Sequence, residues 1–392
     1  MKGYTLSDSL KATTNATSQA APKKAGAKPS VLRRYRNQII IGLILALGIY
    51  IVVLLIADNQ LRLETEGIGE TLSKFNAWML LPLIGLQLVV MVFRWIEWHY
   101  YLGVVGAARA LGIIDSILIQ VAGFVLVVSP GKAGELLKAV PVKAKTGVPI
   151  ARVVPVILAE RIIDGMAVIV ILTVTLLLAG DNLDLGTYND IDYDLISRTI
   201  VFSSAAILTA GMIIVQIEPL ARFGLNILKH IPILNRLYAA AVVFYESSRE
   251  IFSVRHVIPM LGVGVCVYIP SVLSLFLVLL GFGLDPSWTL LLKAGFIVGV
   301  SSAIGALSFV PNGAGVTEIS NAGMLLAFVT PTNPILTPIV AAAVALVQGL
   351  FHKWFRVIVG LGVLVIFRDR LLGDNFDAAL DDLEAFQSEN HR

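Results

Sequence analysis

"GIIDSILIQVAGFVLVVSPGKAGELLKA" spans residues 112–139, and the reading of its end decides how the chain is folded. Residues 112–129 are apolar over nearly the length of a bilayer-crossing helix, about 18 to 20 residues. The run stops at Pro130 and gives way to Gly131, Lys132, Gly134, Glu135 and Lys138, with Lys143, Lys145 and Arg152 following. Lys and Arg favour the cytoplasmic side of a membrane, so a full crossing here would leave these five cations outside. A helix that breaks at Pro130 and turns back to the side it came from removes the conflict. Irregular backbone at membrane depth is tolerated only where protein or a wet cavity covers it, so this turn is expected to face such a cavity.

Composition supports a membrane setting. The 392 residues are 57% hydrophobic and 15% charged, with mean hydropathy +0.83, which leaves too little polar surface for a soluble globule. "IIIGLILALGIYIVVLLIA" at 39–57 is the first continuous apolar run, and the short alternating segments of an outer-membrane barrel are missing. The first 38 residues carry eight Lys or Arg against Asp8 and read as a disordered basic cytoplasmic arm. The first apolar core is too long and too far in for a cleaved signal peptide, so it is expected to remain as a span. Cys266 is the single cysteine, which excludes a disulfide framework and a thiolate metal cluster. The net charge of +3 comes largely from the arm and reads as membrane orientation, with no nucleic-acid partner.

The expected fold is an all-α polytopic integral membrane protein with about 8 spanning or re-entrant helices, its membrane domain covering 39–367. Spans are expected at 39–57, 77–93, 153–179, 199–216, 257–281 and 289–310, with the N-terminus cytoplasmic. Arg94 and Arg109 then lie at the cytoplasmic side, and the aromatic residues of "RWIEWHYYLG" (94–103) form an interfacial belt. The loop at 181–197, with five aspartates and no Lys or Arg, suits the outside. Residues 217–255 read either as an amphipathic helix on the membrane surface or as a short helical hairpin packed on the bundle. The last runs, 319–330, 336–350 and 354–367, are short and interrupted by prolines, His352, Lys353 and Arg356. Residues 371–392 hold six acids and read as a solvated tail.

A second break, "VPNGAGVTE" at 310–318, carries Pro311, Gly313, Gly315 and Glu318. By the expected topology it approaches from the face opposite to the first. Two opposed Pro/Gly-broken helices are the pattern of an inverted repeat whose breaks meet near the midplane and form a substrate site. A helix starting just after such a turn points free N–H groups and a partial positive charge into the cavity, which suits a phosphate. Lys132 would add a point charge, the glycines would let backbone approach, and Glu135 or Glu318 would cap a helix or hold a cationic headgroup.

"LAERIIDGMAVIVIL" (158–172) places Glu160, Arg161 and Asp164 inside a span. Each charge there costs about 2.5 to 3.5 kcal/mol, so it should face the bundle interior with a partner. Glu160 and Asp164 are four apart on one face, and Arg161 can reach Asp164. These charges are candidates for a substrate site, or for an ion-pair network that only holds helices together. No Walker loop, HExxH, GxSxG or metal-type Cys/His spacing occurs, so no cofactor and no catalytic residue is expected.

Three motifs in order, Pro-Gly-x-Ala-Gly-Glu, Glu-Arg-x-x-Asp and Pro-x-Gly-x-Gly-x-x-Glu, make residues 80–367 resemble the lysylphosphatidylglycerol synthase transmembrane family, also called the flippase-like domain family. The resemblance implies a membrane domain that moves modified phospholipids or other isoprenoid- and sugar-linked lipids. Some members join it to an aminoacyl transferase domain, of which these 392 residues show no counterpart. The matching positions are Pro130, Gly131, Gly134, Glu135, Glu160, Arg161, Asp164, Pro311, Gly313, Gly315 and Glu318. Relatives often have Tyr-Arg before the last span, where Gln348 and Gly349 stand here, so another cation, Arg356 or Lys293, would have to meet a headgroup phosphate.

The function expected is movement of a phospholipid or lipid-linked headgroup by alternating access, in a prokaryotic plasma (inner) membrane. The alternatives are an intramembrane lipid transferase with Glu135 or Glu160 as base, and a non-transporting accessory of a lipid- or glycan-synthesising enzyme bound through 217–255.

Overall fold

The computed structural model describes residues 67–128, 130–179, 238–308, 310–373, 375–376 and 378–383, with a few isolated positions between 44 and 210. The basic arm and the spans expected at 39–57 and 199–216 lie outside the described residues. The described chain is helical apart from a two-residue antiparallel pair, Thr187–Tyr188 with Ile191–Asp192, in the Asp-rich loop. Among the described residues, five helices are long and apolar enough to cross a membrane: Ala77–Val104, Ile150–Ala179, Val254–Gly281, Trp288–Leu307 and Pro338–Ile366. The chain is thus an all-α integral membrane protein.

Helix α1 (Leu80–Val104) is entered through a 3-10 turn at Ala77–Met79, where the Asn76 side chain accepts a hydrogen bond from the Trp78 amide. A first hairpin follows. Its entering limb is α2 (Ile113–Gly123), which tightens into a 3-10 segment over Phe124–Val128. Its returning limb is a 3-10 run, Pro130–Lys138, continued by α3 (Ala139–Thr146) and closed by Gly147 at φ +74°. The limbs come back to one level, since Lys145 Nζ lies 3.4 Å from Asp115 Oδ1 at the start of α2.

Helix α4 (Ile150–Ala179) rises from the base of this hairpin, α5 (Tyr238–Ile251) packs against α4, and α6 (Val254–Gly281) packs between α1, α4 and the next helix. A second hairpin is built from α7 (Trp288–Leu307), a turn at 308–315 and α8 (Val316–Phe328). Ser287 starts α7 by accepting from the Leu290 amide at 3.1 Å. The base of this hairpin is marked by Lys293 Nζ donating to Thr332 Oγ1 at 3.1 Å. Helix α9 (Pro338–Gly349) runs through a π-helical turn, Leu350–Trp354, into α10 (Phe355–Ile366).

The two hairpins touch at their tips. The segments Phe124–Val128 and Pro130–Lys138 both pack on Pro311–Gly313, and Val128, Ala314, Trp354 and Val357 close a small apolar cluster there. Each hairpin is followed by a long helix that starts at its own base, passes the tips and ends along the other hairpin. Helix α4 ends with Val168, Leu172 and Ala179 against Leu292 and Phe296 of α7. The α9–α10 helix starts with Ala341 and Val344 against Leu325 of α8 and ends with Val359 and Val363 beside Val121 and Phe124.

Four sequence expectations are corrected. The runs at 336–350 and 354–367 form one helix, because Lys353 and Arg356 turn their charges onto partners inside the protein and the π turn absorbs the irregularity. The run at 319–330 is the returning limb of the second hairpin. The span drawn at 77–93 continues to Val104, so Arg94, Trp98 and Tyr101 are buried in the bundle and do not form an interfacial belt. The tail is not free: Leu371, Phe376, Ala379, Leu380 and Leu383 are buried, and Arg370 and Asp382 pair with Asp115 and Lys143 at the base of the first hairpin. The 376/379/380/383 spacing is one helical face, hidden by the density of acids around it. In the 217–255 segment, the described part packs inward through Ser247, Ser248, Ile251 and Phe252, as the packed-hairpin alternative requires; residues 217–237 lie outside the described residues.

Helix α10 approaches the first hairpin so closely that a Cβ on Gly360 would sit 2.6 Å from the Val121 carbonyl oxygen, a backbone atom that cannot swing away. Gly360→Ala should therefore cost about 1–3 kcal/mol and lower the unfolding temperature of the purified protein. Gly362→Ala, where a Cβ meets nothing within 4 Å, should leave it unchanged.

Candidate functional site

One face of α1 carries Gln87, Arg94, Glu97, Trp98 and Tyr101, spaced by three, four and seven residues, and all are buried. Against it α4 presents Glu160, Arg161 and Asp164, while the first hairpin contributes Gln120, Glu135 and Lys138. Glu160, fully buried, accepts from Lys138 Nζ at 2.7 Å and from Gln120 Nε2 at 3.1 Å. The Lys138 ammonium also lies 4.1 Å over the Trp98 ring, a cation–π contact strengthened by the dry surroundings. Arg161 reaches Glu135 Oε2 at 3.1 Å and Asp164 Oδ2 at 3.0 Å. Asp164 takes a second guanidinium from Arg94, which in turn lies 3.7 Å from Glu97.

Burying an ion costs several kcal/mol even after relaxation, and a partner at hydrogen-bond distance offsets it only when the geometry is good. Here Glu160 and Asp164 meet that condition. Glu135 has one oxygen on Arg161 and the other, Oε1, without a hydrogen-bond partner among the described residues. Among the described residues, neither oxygen of Glu97 has one.

The second hairpin makes a smaller cluster. The tip backbone is left-handed at Asn312 (φ +54°), Gly313 (φ +59°) and Gly315 (φ +79°), a path that glycine takes without strain. Glu318 folds back to accept from the Gly315 amide at 2.8 Å and from Thr317 Oγ1 at 3.1 Å, so it caps its own helix. It also pairs with Lys353 Nζ at 2.8 Å, and the same ammonium donates to the Gly313 carbonyl at 3.1 Å and to Thr317. Gly349 leaves the space that Glu318 Oε1 fills, while Gln348 is occupied by Ser274 at 3.1 Å and the Ser271 carbonyl at 3.3 Å. Gln348 and Gly349 thus serve helix packing here.

The sequence-derived residues divide into two clusters at touching tips: Glu135, Glu160, Arg161 and Asp164 in the first, Gly313, Gly315 and Glu318 in the second. Gly131 and the half-buried Gly134 belong to the first tip. The side chains of Pro130, Lys132 and Pro311 lie outside the described residues. Of the two replacement cations, Lys293 is held at the base of the second hairpin. Arg356 instead interacts electrostatically with Arg94, Arg161, Asp164 and Tyr268, donates to the His352 carbonyl at 2.9 Å, and has no carboxylate at ion-pair distance among the described residues. Arg161 keeps 31% of its side chain exposed. Two guanidiniums with spare donors, neither fully buried, can receive an anion.

Sequence reading missed Arg94, Glu97 and Gln120 as members, and did not pair Lys138 or Lys353 with their glutamates. The 87/94/97/101 repeat of polar residues was a readable signal, obscured by ending the span at the first charge. Removing one partner of a buried pair costs about 3–5 kcal/mol, whereas removing both is far milder. Lys138→Met and Lys353→Met should each lower the unfolding temperature, and adding Glu160→Gln or Glu318→Gln respectively should recover most of the loss.

No curated protein and no solved structure matches the chain. The family model described as lysylphosphatidylglycerol synthase TM region matches residues 39–360, which contain both hairpins, both clusters and the long helices that join them up to the middle of α10. By that match the chain belongs to the family of the lysylphosphatidylglycerol synthase transmembrane region.

Proposed function

We propose that the chain moves a phospholipid or another lipid-linked phosphate headgroup across the bilayer by alternating access, without catalysis of its own. The observation that carries this reading is the meeting of two broken hairpins at a buried charge cluster that retains two under-used guanidiniums. The headgroup phosphate is bound by Arg161 and Arg356 at the tips while the acyl chains stay in lipid, and rocking of one hairpin unit against the other opens the site to each face in turn.

Internal symmetry supports the reading. Each hairpin places a glutamate at its tip, and each glutamate pairs with a cation on the long helix that follows: Glu135 with Arg161 and Glu318 with Lys353. This is the relation expected between two inverted halves. The first hairpin's base, with Lys143, Lys145 and the following Arg152, faces the cytoplasm of a prokaryotic cell and the second hairpin's base faces outward, so both hairpins are re-entrant. The accessory reading binds its enzyme through 217–255, and the inward packing of α5, the described part of that segment, gives it less support.

The test is reconstitution in liposomes that hold fluorescent headgroup-labelled phospholipids or polyisoprenyl phosphates, with quencher added outside. Wild type should make the inner label accessible. Glu160→Gln should abolish movement, and Arg356→Gln, which removes a charge-assisted contact of about 1.5–3 kcal/mol, should weaken the apparent affinity roughly 10- to 100-fold. No movement of any of these lipids by folded wild type would reject the reading in favour of the accessory one.

A further inference from the structure

Glu97 is the acid that the clusters leave unexplained. It is 0% exposed, neither carboxyl oxygen has a hydrogen-bond partner among the described residues, and its nearest cation, Arg94, is committed at closer range to Asp164. The first cluster holds four acids, Glu97, Glu135, Glu160 and Asp164, against three paired cations, Arg94, Lys138 and Arg161. An ionised carboxylate with no donor at either oxygen is among the costliest groups to bury, whereas a neutral carboxylic acid costs far less.

Buried side-chain polar atoms without a hydrogen-bond partner occur at several places among the described residues, and six of them lie on one face of α1. Gln87 Oε1 and Nε2, both Glu97 oxygens, Trp98 Nε1 and Tyr101 Oη lack partners, and these residues share one face of α1. They extend about 15 Å from Glu97 toward the start of the helix and about 6 Å toward its end, at 1.5 Å per residue. Buried polar atoms without protein partners are the sites that ordered water fills. Glu97, Trp98 and Tyr101 thus bring one titratable carboxyl and two further unpartnered polar groups together, where water can complete their hydrogen bonds when the cluster opens.

We propose that Glu97 is a proton-exchange site: it carries a proton in the closed arrangement seen here and releases it to water when the cluster opens. The groups around it set the balance. Arg94 and Tyr101 face it from its own helix, Glu160, Arg161 and Asp164 from α4, and Lys138 from the first hairpin across the Trp98 ring. Tyr268 of α6 and Arg356 of α10 act on it through Arg94 and Asp164. The proton leaves as hydronium and the remaining carboxylate pairs with Arg94, so charge is conserved at each step. A phosphate beside Arg161 and Arg356 draws on the same positive field and so favours the protonated form, which links proton and headgroup binding in the same direction. This link rests on the function proposed above, but the proton site does not.

Two measurements separate them. In infrared spectra of the full-length protein in lipid at neutral pH, wild type should show the carbonyl stretch of a protonated carboxylic acid that disappears on alkaline titration. Glu97→Gln, of the same shape and neutral, should lack that band, and Glu97→Asp should shift it. Identical spectra for wild type and Glu97→Gln would overturn the proposal, as would loss of the band on adding sodium at fixed pH, which would make the site a metal-cation site. In the liposome assay, a one-unit pH gradient should bias the distribution of labelled anionic lipid by up to about tenfold in wild type and not in Glu97→Gln. Lipid movement in wild type that ignores the gradient would overturn the link. If wild type moves no lipid, the functional reading fails while the infrared result still decides Glu97.

Discussion

A charge taken out of water must find its opposite, and that requirement fixes where the two hairpins end. Glu160 lies deep in α4, and its lysine, Lys138, ends the returning 3-10 run of the first hairpin. The next residue, Arg161, meets Glu135 three positions earlier in the same run. Two pairs on neighbouring residues set the height of the hairpin against α4 to within a fraction of a helical turn. A slip of one turn, 5.4 Å, would separate both pairs and leave four ions unpaired in a dry interior. The Glu318–Lys353 pair sets the second hairpin against the α9–α10 helix in the same way.

The charges also settle the backbone. Helices that stop inside a membrane protein leave N–H and C=O groups with no water to take them. At the second tip, Glu318 takes the Gly315 amide and Lys353 takes the Gly313 carbonyl, so one ion pair satisfies a donor and an acceptor of the irregular turn where it enters α8. Capping and ion pairing are therefore one arrangement at Glu318. At the first tip the 3-10 segments lean on the second tip and on Trp354 and Val357 for cover. Each hairpin is finished by the other.

The helical membrane fold, both breaks and the Glu-Arg-x-x-Asp charges were legible in the sequence because each is local: an apolar run, a proline with glycines, a charge where none should be. What was not legible depends on distance along the chain. Lys138 and Glu160 are 22 residues apart, Glu318 and Lys353 are 35, and Arg94 and Asp164 are 70, and no local pattern joins them. Arg94 and Lys353 were misplaced for one reason: hydropathy ends a span at a charge, while a fold that supplies a partner lets the helix continue. The docked tail was hidden by its composition, since six acids suggest solvent until the spacing of Phe376, Leu380 and Leu383 is considered.

The two clusters differ in how completely their acids are paired, and under the proposed function that difference marks where a headgroup would enter. Glu318 is saturated, with donors from Gly315, Thr317 and Lys353, and it is sealed from solvent. Among the described residues, the first cluster leaves Glu97, one oxygen of Glu135 and one of Gln120 without hydrogen-bond partners, and it keeps Arg161 partly exposed. An apolar core of similar volume often holds helices as well as buried ion pairs do, so stability alone does not explain a tip built from seven ionisable groups. Ionic contacts differ from apolar ones in that water, a proton or a phosphate can replace a partner without leaving a void. Unspent hydrogen-bonding capacity next to exchangeable pairs is what a site needs to admit a polar headgroup, and within the described residues it is concentrated where α1, α4 and the first hairpin meet.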